Sequence, residues 1–199
     1  MLKRSFDILF SLFGLIVFSP LFLIISIAVL FDSKGRIFFK QLRVGKGRKD
    51  FYLYKFRSMK PGSDQKGLLT IGSKDDRITK VGYYLRKYKL DELPQLINVI
   101  VGEMSLVGPR PEVRKYVDMY NEEQLKVLSV KPGITDYASV QYYDENEVIG
   151  KSENPEQAYI NEVMPAKLNL NLVYIKEQSL MTDIKILFRT VFRIAGSGK

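Results

Sequence analysis

The stretch "GLIVFSPLFLIIS" (residues 14–26) decides how the N-terminal part of this chain folds. It lies within an uncharged, strongly apolar run over residues 8–31. As a straight helix this run would be about 36 Å long, enough to cross a hydrocarbon core of about 30 Å. Ser19 and Pro20 interrupt it near the middle. Because Pro20 lacks a backbone donor and clashes with the carbonyl four residues earlier, the sequence predicts a kink, and the Ser19 hydroxyl can satisfy the freed carbonyl.

Basic residues flank the apolar run on both sides. Lys3 and Arg4 precede it, and a series of lysines and arginines follows over residues 34–49. Since basic residues beside membrane segments tend to stay on the cytoplasmic side, both ends should lie on that side. We therefore predict a re-entrant membrane helix over residues 1–33 and a cytosolic, membrane-associated domain over residues 34–199. A kinked transmembrane helix is the alternative, whereas a signal peptide would have a shorter apolar core and a cleavage site.

The composition limits the chemistry that this chain can perform. It has no cysteine and no histidine, which excludes disulfides, Cys/His zinc sites and histidine bases. Carboxylates, Lys, Tyr, Ser or an oxygen-bound metal such as magnesium remain. The net charge is +9, which favours anionic partners. Given the apolar run, we expect lipid and phosphate rather than nucleic acid.

The rest of the pattern predicts an α+β fold that is mainly helical. Aromatic and β-branched residues around a glycine turn predict a β-hairpin over residues 36–59. Helices are predicted over residues 79–90 and 90–106, the second with Asp91 as its cap, and over residues 156–177 with a break near Pro165. A polar loop over residues 61–76 should border a site.

Residues 180–196 predict an amphipathic C-terminal helix. One predicted face is apolar and consists of Ile184, Leu187, Val191 and Ile194. A neighbouring face is cationic and consists of Lys185, Arg189 and Arg193. Such a helix suits a membrane interface, but an ordinary helix that packs on the core gives the same pattern.

Adjacent carboxylates, Asp91 and Glu92, are the first candidates for chemistry. Cations from other segments accompany them in the sequence, namely Lys55, Arg57, Arg86 and Arg110. Carboxylates that hold magnesium or attack phosphorus, beside arginines that neutralise phosphate oxygens, are typical of phosphoryl transfer. The competing interpretation is a helix cap with surface ion pairs.

Four segments carry a family resemblance: "KFRSM" (55–59), "LDELPQLINV" (90–99), "GEMSLVGPRP" (102–111) and "KPGIT" (131–135). In this order behind a Ser-Pro-interrupted apolar helix, they resemble the bacterial sugar transferases that act on polyprenyl phosphate, the small monotopic phosphoglycosyl transferases. The resemblance runs nearly from end to end of the chain. It implies a helix that is re-entrant and breaks at Ser19-Pro20.

The resemblance also implies an activity and its residues. Such enzymes transfer a sugar 1-phosphate from a UDP-sugar to undecaprenyl phosphate and release UMP, at the cytoplasmic face of the bacterial inner membrane. Asp91 would be the nucleophile of a ping-pong reaction through a phosphosugar-aspartate intermediate, and Glu92 would help it hold Mg2+. Arg86 and Arg110 would clamp phosphate, with Lys55 and Arg57 as further phosphate-binding residues.

Residues 136–148 depart from the commonest family pattern, which leads us to predict that this loop influences the choice of donor sugar. The residues that we assign to it are Asp136, Tyr137, Gln141, Tyr142 and Tyr143. The sugar, the glycan pathway and the prenol stay open, and the sequence is compatible with an oligomer. A non-catalytic basic adaptor on the membrane surface is the alternative to an enzyme.

Overall fold

The computed structural model describes residues 2–63, 75–141, 149 and 152–196. Its helices are α1 (Leu2–Val17), α2 (Ser19–Asp32), α3 (Lys80–Lys87), α4 (Gln95–Val101), α5 (Arg114–Val117), α6 (Glu122–Leu125), α7 (Tyr137–Gln141), α8 (Pro155–Ala158), α9 (Met164–Lys176) and α10 (Leu180–Gly196). Its strands are β1 (Phe38–Val44), β2 (Asp50–Phe56), β3 (Ser105–Val107) and β4 (Gly133–Thr135). The prediction of a mainly helical chain with one hairpin is confirmed. The parallel pair of β3 and β4 was not predicted.

Helices α1 and α2 form a pair with a 62° bend between them. Pro20 cannot donate to the carbonyl of Ile16, and the Ser19 hydroxyl donates to that carbonyl instead, over 2.8 Å. The predicted kink and its hydrogen bond are confirmed. Among the described residues no single helix is long and apolar enough to cross a membrane, but this bent pair passes the same test as a unit.

The beginning of α1 is fastened to the rest of the chain. The Lys3 ammonium group forms a salt bridge with the buried carboxylate of Asp183 and donates to the carbonyl of Val107 at 3.1 Å. The Arg4 guanidinium donates to the carbonyl of Val99 at 2.6 Å, at the C-terminal end of α4. Cations at helix C-termini satisfy carbonyls that lack a helical partner.

The end of α2 is fastened to the same body. Arg57, which follows β2, donates to the carbonyls of Ser33 at 2.6 Å and Lys34 at 2.9 Å. The Asp32 carboxylate accepts a hydrogen bond from the backbone N–H of Val81, at 2.9 Å. Both ends of the bent pair therefore contact the folded remainder of the chain.

The hairpin of β1 and β2 is antiparallel and packs against α4. Gly47 takes a positive φ of 66° in its connection, which suits glycine. Asn98 of α4 is fully buried and completes the edge of β2. Its amide accepts from the N–H of Tyr54 at 3.0 Å and donates to the carbonyl of Tyr52 at 2.8 Å. The Asn98 side chain thereby pairs with the backbone of β2 as a neighbouring strand would, and this pairing joins α4 to the hairpin.

Three apolar clusters hold these elements together. The first joins β2, α4, α9 and α10 through residues such as Leu53, Val99 and Ile186. The second joins α9 to the segment after β3, and the third packs α2 on β2 and α3. Burial of each large apolar side chain contributes about 1.5–3 kcal/mol, so these clusters hold the hairpin and α4 in place.

Large apolar side chains of the bent pair stay exposed. They include Leu9, Phe13, Ile16, Leu23, Ile24 and Phe31. Helix α10 also has an exposed apolar side, formed by Met181, Phe188, Val191 and Phe192. Its packing side carries Asp183 and Ile186. On the predicted apolar face, Ile184, Leu187 and Ile194 are half-buried and Val191 is exposed.

Candidate active site

Asp91 and Glu92 lie in a tight turn between α3 and α4. Lys89, just before them, has a left-handed φ of 54°, which is uncommon for a residue other than glycine. The chain then forms a 3-10 turn over Leu90–Glu92, and α4 begins only after Pro94. The expected capping role of Asp91 is therefore wrong, because its carboxylate is separated from the N-terminus of α4.

Glu92 is bound by two cations from other elements. Its Oε1 accepts from the Lys55 ammonium group at 3.0 Å and from Nη2 of Arg110, and its Oε2 accepts from Nη1 of Arg110 at 3.2 Å. Burial opposes ionisation of Glu92, but Arg110 and Lys55 outweigh it and hold its pKa well below the usual value. Lys55 and Arg110 therefore favour the ionised form of Glu92.

Asp91 has a different environment from its neighbour. It is buried, and no hydrogen bond to its carboxylate exists within the described residues. Burial raises the pKa of Asp91, the Lys55 charge opposes this rise, and the negative charge of Glu92 adds to it. A carboxylate that is neither paired nor capped is available to a substrate.

Lys55 and Arg86 supply the positive charge around Asp91. Burial lowers the pKa of Lys55, while the Glu92 carboxylate opposes that shift. The charge of Arg86, in the last turn of α3, lowers the pKa of Asp91. The N-cap Thr79 holds the first turn of α3 by accepting from the N–H of Gly82 at 3.0 Å.

One cleft of about 500 Å³ contains these residues. Its lining includes all six of the predicted catalytic and phosphate-binding residues, Lys55, Arg57, Arg86, Asp91, Glu92 and Arg110. Arg57 differs from the others because its guanidinium donates to the carbonyls at the end of α2. This geometry favours a structural role for Arg57 over the phosphate contact that we expected.

The residues predicted to choose the donor have other contacts. Asp136 is fully buried and accepts hydrogen bonds from the backbone N–H groups of Arg110 at 3.2 Å and Ser139 at 2.6 Å. Tyr137 donates from its hydroxyl to Glu177. Neither of them lines the cleft, nor does the exposed Gln141, whereas Ser139 does. Tyr142 and Tyr143 lie outside the described residues.

Sequence reasoning missed a second charged cluster in the cleft wall. It consists of Arg43, Glu112, Tyr159 and Lys167. Glu112 accepts from Arg43 Nη1 at 2.7 Å and from the Tyr159 hydroxyl, and Lys167 lies over the ring of Tyr159. The only signal in the sequence was the position of Glu112 directly after the "GPRP" motif.

The carboxylates of Asp91 and Glu92 can supply only part of the ligand set that a magnesium ion needs. Among the described residues no group of three carboxylates is close enough to bind a metal ion. Magnesium commonly uses one or two carboxylates and completes its shell with substrate phosphates and water. Asp91 has its oxygens available, and Glu92 uses three of its roughly four lone-pair positions for hydrogen bonds. The pair therefore suits a metal that arrives together with a phosphate.

Paired carboxylates among cations in one cleft are an arrangement that phosphoryl-transfer sites use. The model of the bacterial sugar transferase family matches residues 1–197. The chain therefore belongs to the bacterial sugar transferase family.

Individual relatives agree with this match. The chain is 39% identical to the UDP-N-acetylgalactosamine-undecaprenyl-phosphate N-acetylgalactosaminephosphotransferase of Aeromonas hydrophila, over 96% of this chain and 43% of that protein. It is 39% identical to the UDP-glucose:undecaprenyl-phosphate glucose-1-phosphate transferase of Escherichia coli K12, over 97% and 40%. The chain thus spans about two fifths of these two relatives. The exopolysaccharide production protein PSS of Rhizobium leguminosarum is 36% identical over 100% of this chain and 97% of that protein.

Proposed function

We propose that this chain transfers a sugar 1-phosphate from a UDP-sugar to undecaprenyl phosphate and releases UMP, as the first membrane step of bacterial surface glycan assembly. The observation that carries the proposal is the contrast between Asp91, whose carboxylate is available, and Glu92, which is clamped by Lys55 and Arg110. The names of the two transferase relatives support the donor class and the lipid acceptor.

The chemistry that we propose begins at the Asp91 carboxylate. It attacks the sugar-bearing phosphorus of the donor, and UMP leaves with the electrons of the broken phosphoanhydride bond. Undecaprenyl phosphate then attacks the same phosphorus, which frees Asp91. The lowered pKa of Glu92 keeps it charged, so that it holds Lys55 and Arg110 near the phosphates throughout. Two half-reactions allow a soluble and a lipid substrate to use one cleft in turn.

We propose that Asp91 and Glu92 hold Mg2+ with the donor diphosphate. Bound there, the ion offsets the negative charge that would otherwise repel the attacking carboxylate. Arg86 and Arg110, which line the cleft, bind the phosphate oxygens. Glu92→Gln should therefore weaken activity strongly, because it removes one carboxylate oxygen and the negative charge that positions both Lys55 and Arg110.

Asp91→Asn tests the covalent step, since it keeps the shape of the side chain and removes its nucleophilicity. With UDP-N-acetylgalactosamine or UDP-glucose alone, the unchanged protein should release UMP at most stoichiometrically and gain a sugar phosphate on the peptide that contains Asp91. The Asn variant should release none while it stays folded. Absence of the adduct by mass spectrometry, with kinetics that need both substrates bound together, would favour direct transfer.

We also propose a monotopic location on the cytoplasmic face of the inner membrane, with membrane lipid as a further partner. The 62° bend, the exposed apolar side chains and the attachment of both ends to one body support a helix pair that enters and leaves on the same side. A non-catalytic adaptor would leave Asp91 freely replaceable, so the Asp91→Asn variant separates the two proposals.

A further inference from the structure

We propose that Glu112, with Arg43 and Tyr159, is a positioning unit that aims Arg110 at the phosphates of the donor. The inference rests on the proposed function, because it concerns how the same cleft binds a nucleoside diphosphate. Glu112 is two residues from Arg110, but its carboxylate accepts hydrogen bonds from Arg43 and Tyr159, whereas Glu92 accepts from Lys55 and Arg110.

Both oxygens of the Glu112 carboxylate accept hydrogen bonds from neighbouring groups. Oε1 accepts from Arg43 Nη1 and from the backbone N–H of Val113, both at 2.7 Å. Oε2 accepts from the hydroxyl of Tyr159. Burial opposes ionisation of Glu112, but Arg43 and the Tyr159 hydroxyl outweigh it, and the pKa of Glu112 is lowered. A charged carboxylate with three donors has a fixed orientation.

The same residues fix the backbone next to Arg110. Arg43 also donates to the carbonyl of Pro111 at 3.3 Å, and the N–H of Val44 donates to the carbonyl of Glu112 at 2.9 Å. On the other side, the N–H of Arg110 itself donates to Asp136. The main chain around Arg110 is therefore anchored before and after its Cα atom.

Arg110 needs such anchoring because its side chain is long. An arginine side chain carries about 2 kcal/mol of rotamer entropy, so its head group is placed accurately only when its backbone is fixed. Its guanidinium forms a two-pronged contact with Glu92 at the centre of the cleft. Tyr159 starts the π-helical turn Tyr159–Val163, a type of irregular turn that often occurs at functional sites.

A double-mutant cycle on UDP affinity tests the inference without requiring turnover. The full-length protein in detergent is titrated with UDP by calorimetry, in the presence of Mg2+. Glu112→Gln places an amide NH2 group against a hydrogen-bond donor, so UDP affinity should fall about tenfold, close to the lower end of the range for hydrogen bonds to charged groups. Tyr159→Phe removes one hydroxyl only and should weaken UDP binding about threefold by the same reasoning. Glu123→Gln, which breaks the exposed pair with Lys126, is the matched control and should change nothing.

The decisive comparison repeats Glu112→Gln and Tyr159→Phe in an Arg110→Ala background. If Glu112 and Tyr159 act through Arg110, each substitution should change UDP affinity by less than about twofold in the Arg110→Ala protein, because the effects of coupled residues are not additive. The same loss in both backgrounds, or unchanged affinity in folded Tyr159→Phe and Glu112→Gln proteins, would overturn the inference. UMP release from UDP-sugars tests the proposed function separately: coupled UDP binding without UMP release would contradict that function and support the positioning unit.

Discussion

Gly133 and Gly108 approach each other more closely than any other residue type would allow. A Cβ atom on Gly133 would lie 2.1 Å from the backbone nitrogen of Gly108 and 2.4 Å from its oxygen. This contact follows directly from the parallel pairing of β3 and β4, in which the N–H of Gly108 donates to the carbonyl of Thr135. The glycine that opens the "GPRP" motif is thus needed for close packing of the backbone that leads to Arg110.

Gly133→Ala should destabilise the protein by about 1–3 kcal/mol, because the clash is with backbone atoms that cannot rotate away. Thermal unfolding in detergent measures the loss. Gly196→Ala is the control, since a Cβ atom there meets nothing within 4 Å, and it should change stability by less than about 0.5 kcal/mol. Equal stability of the two variants would show that β3 and β4 can separate without cost.

Glu112 should make stability depend on pH in the acidic range. Its folded-state pKa lies below its ordinary value of 4.5, so its ion pair stabilises the fold fully above about pH 4.5. That contribution is lost as the pH falls through the folded-state pKa. Chemical unfolding from pH 7 to pH 3 should therefore show a steeper loss for the unchanged protein than for Glu112→Gln. Identical slopes would mean that Glu112 titrates alike in the folded and unfolded states.

At the scale of elements, local signals were predictable and long-range pairings were not. The bend at Ser19-Pro20 follows from two adjacent residues, and the hairpin follows from its alternating pattern and its glycine turn. Strands β3 and β4 have three residues each, too few for any periodicity to be visible. The start of α4 was misplaced because Pro94 can open a helix as well as follow a turn.

In the candidate site, too, some residues could be predicted from local motifs, whereas long-range contacts could not. Asp91, Glu92 and Arg110 were predicted because their motifs are specific and their charges match phosphate chemistry, and they do line one cleft. The partners of Glu112 lie 69 and 47 residues away along the chain, so that only the tertiary fold brings them together. A sequence cannot show that carbonyls at the end of α2 occupy the guanidinium of Arg57, whose predicted phosphate contact stays a prediction.

Removing the bend should change the topology of the helix pair. Pro20→Ala restores the donor to the carbonyl of Ile16 and favours a straight helix, while Asp183→Asn removes the ion partner of Lys3. Because the chain has no cysteine, Leu2→Cys gives a unique label at an exposed position. An impermeant thiol reagent added to intact cells should leave it unmarked in the otherwise unchanged protein. It should mark a fraction with Pro20→Ala and a larger fraction with both changes.

Lys34→Cys is the companion label at the other end of the pair. If the pair is re-entrant, the reagent should reach neither position from outside until the membrane is permeabilised. Marking of either position in intact cells, without the Pro20 or Asp183 changes, would contradict a re-entrant arrangement and favour a kinked crossing.

On the scale of the whole molecule, the exposed apolar sides of the bent pair and of α10 predict where lipid should lie. The chain has no tryptophan, so that Phe192→Trp introduces a single fluorophore on α10. Brominated lipid in vesicles should quench it. Met119→Trp, at an exposed position beside Asp118, is the comparison and should stay unquenched. Equal quenching at both positions would refute the assignment of α10 to the membrane interface.

The salt bridge between Lys3 and Asp183 also has a consequence for biosynthesis. Its partners are 180 residues apart, and at about 5–20 residues per second a ribosome needs about 10–35 s to make the intervening chain. The apolar helices therefore leave the ribosome long before this salt bridge can form. If they enter the membrane as we propose, Pro20 and the flanking positive charges must favour one side during that interval. Ribosome-stalled chains that end before residue 183 should consequently insert wrongly more often than finished ones.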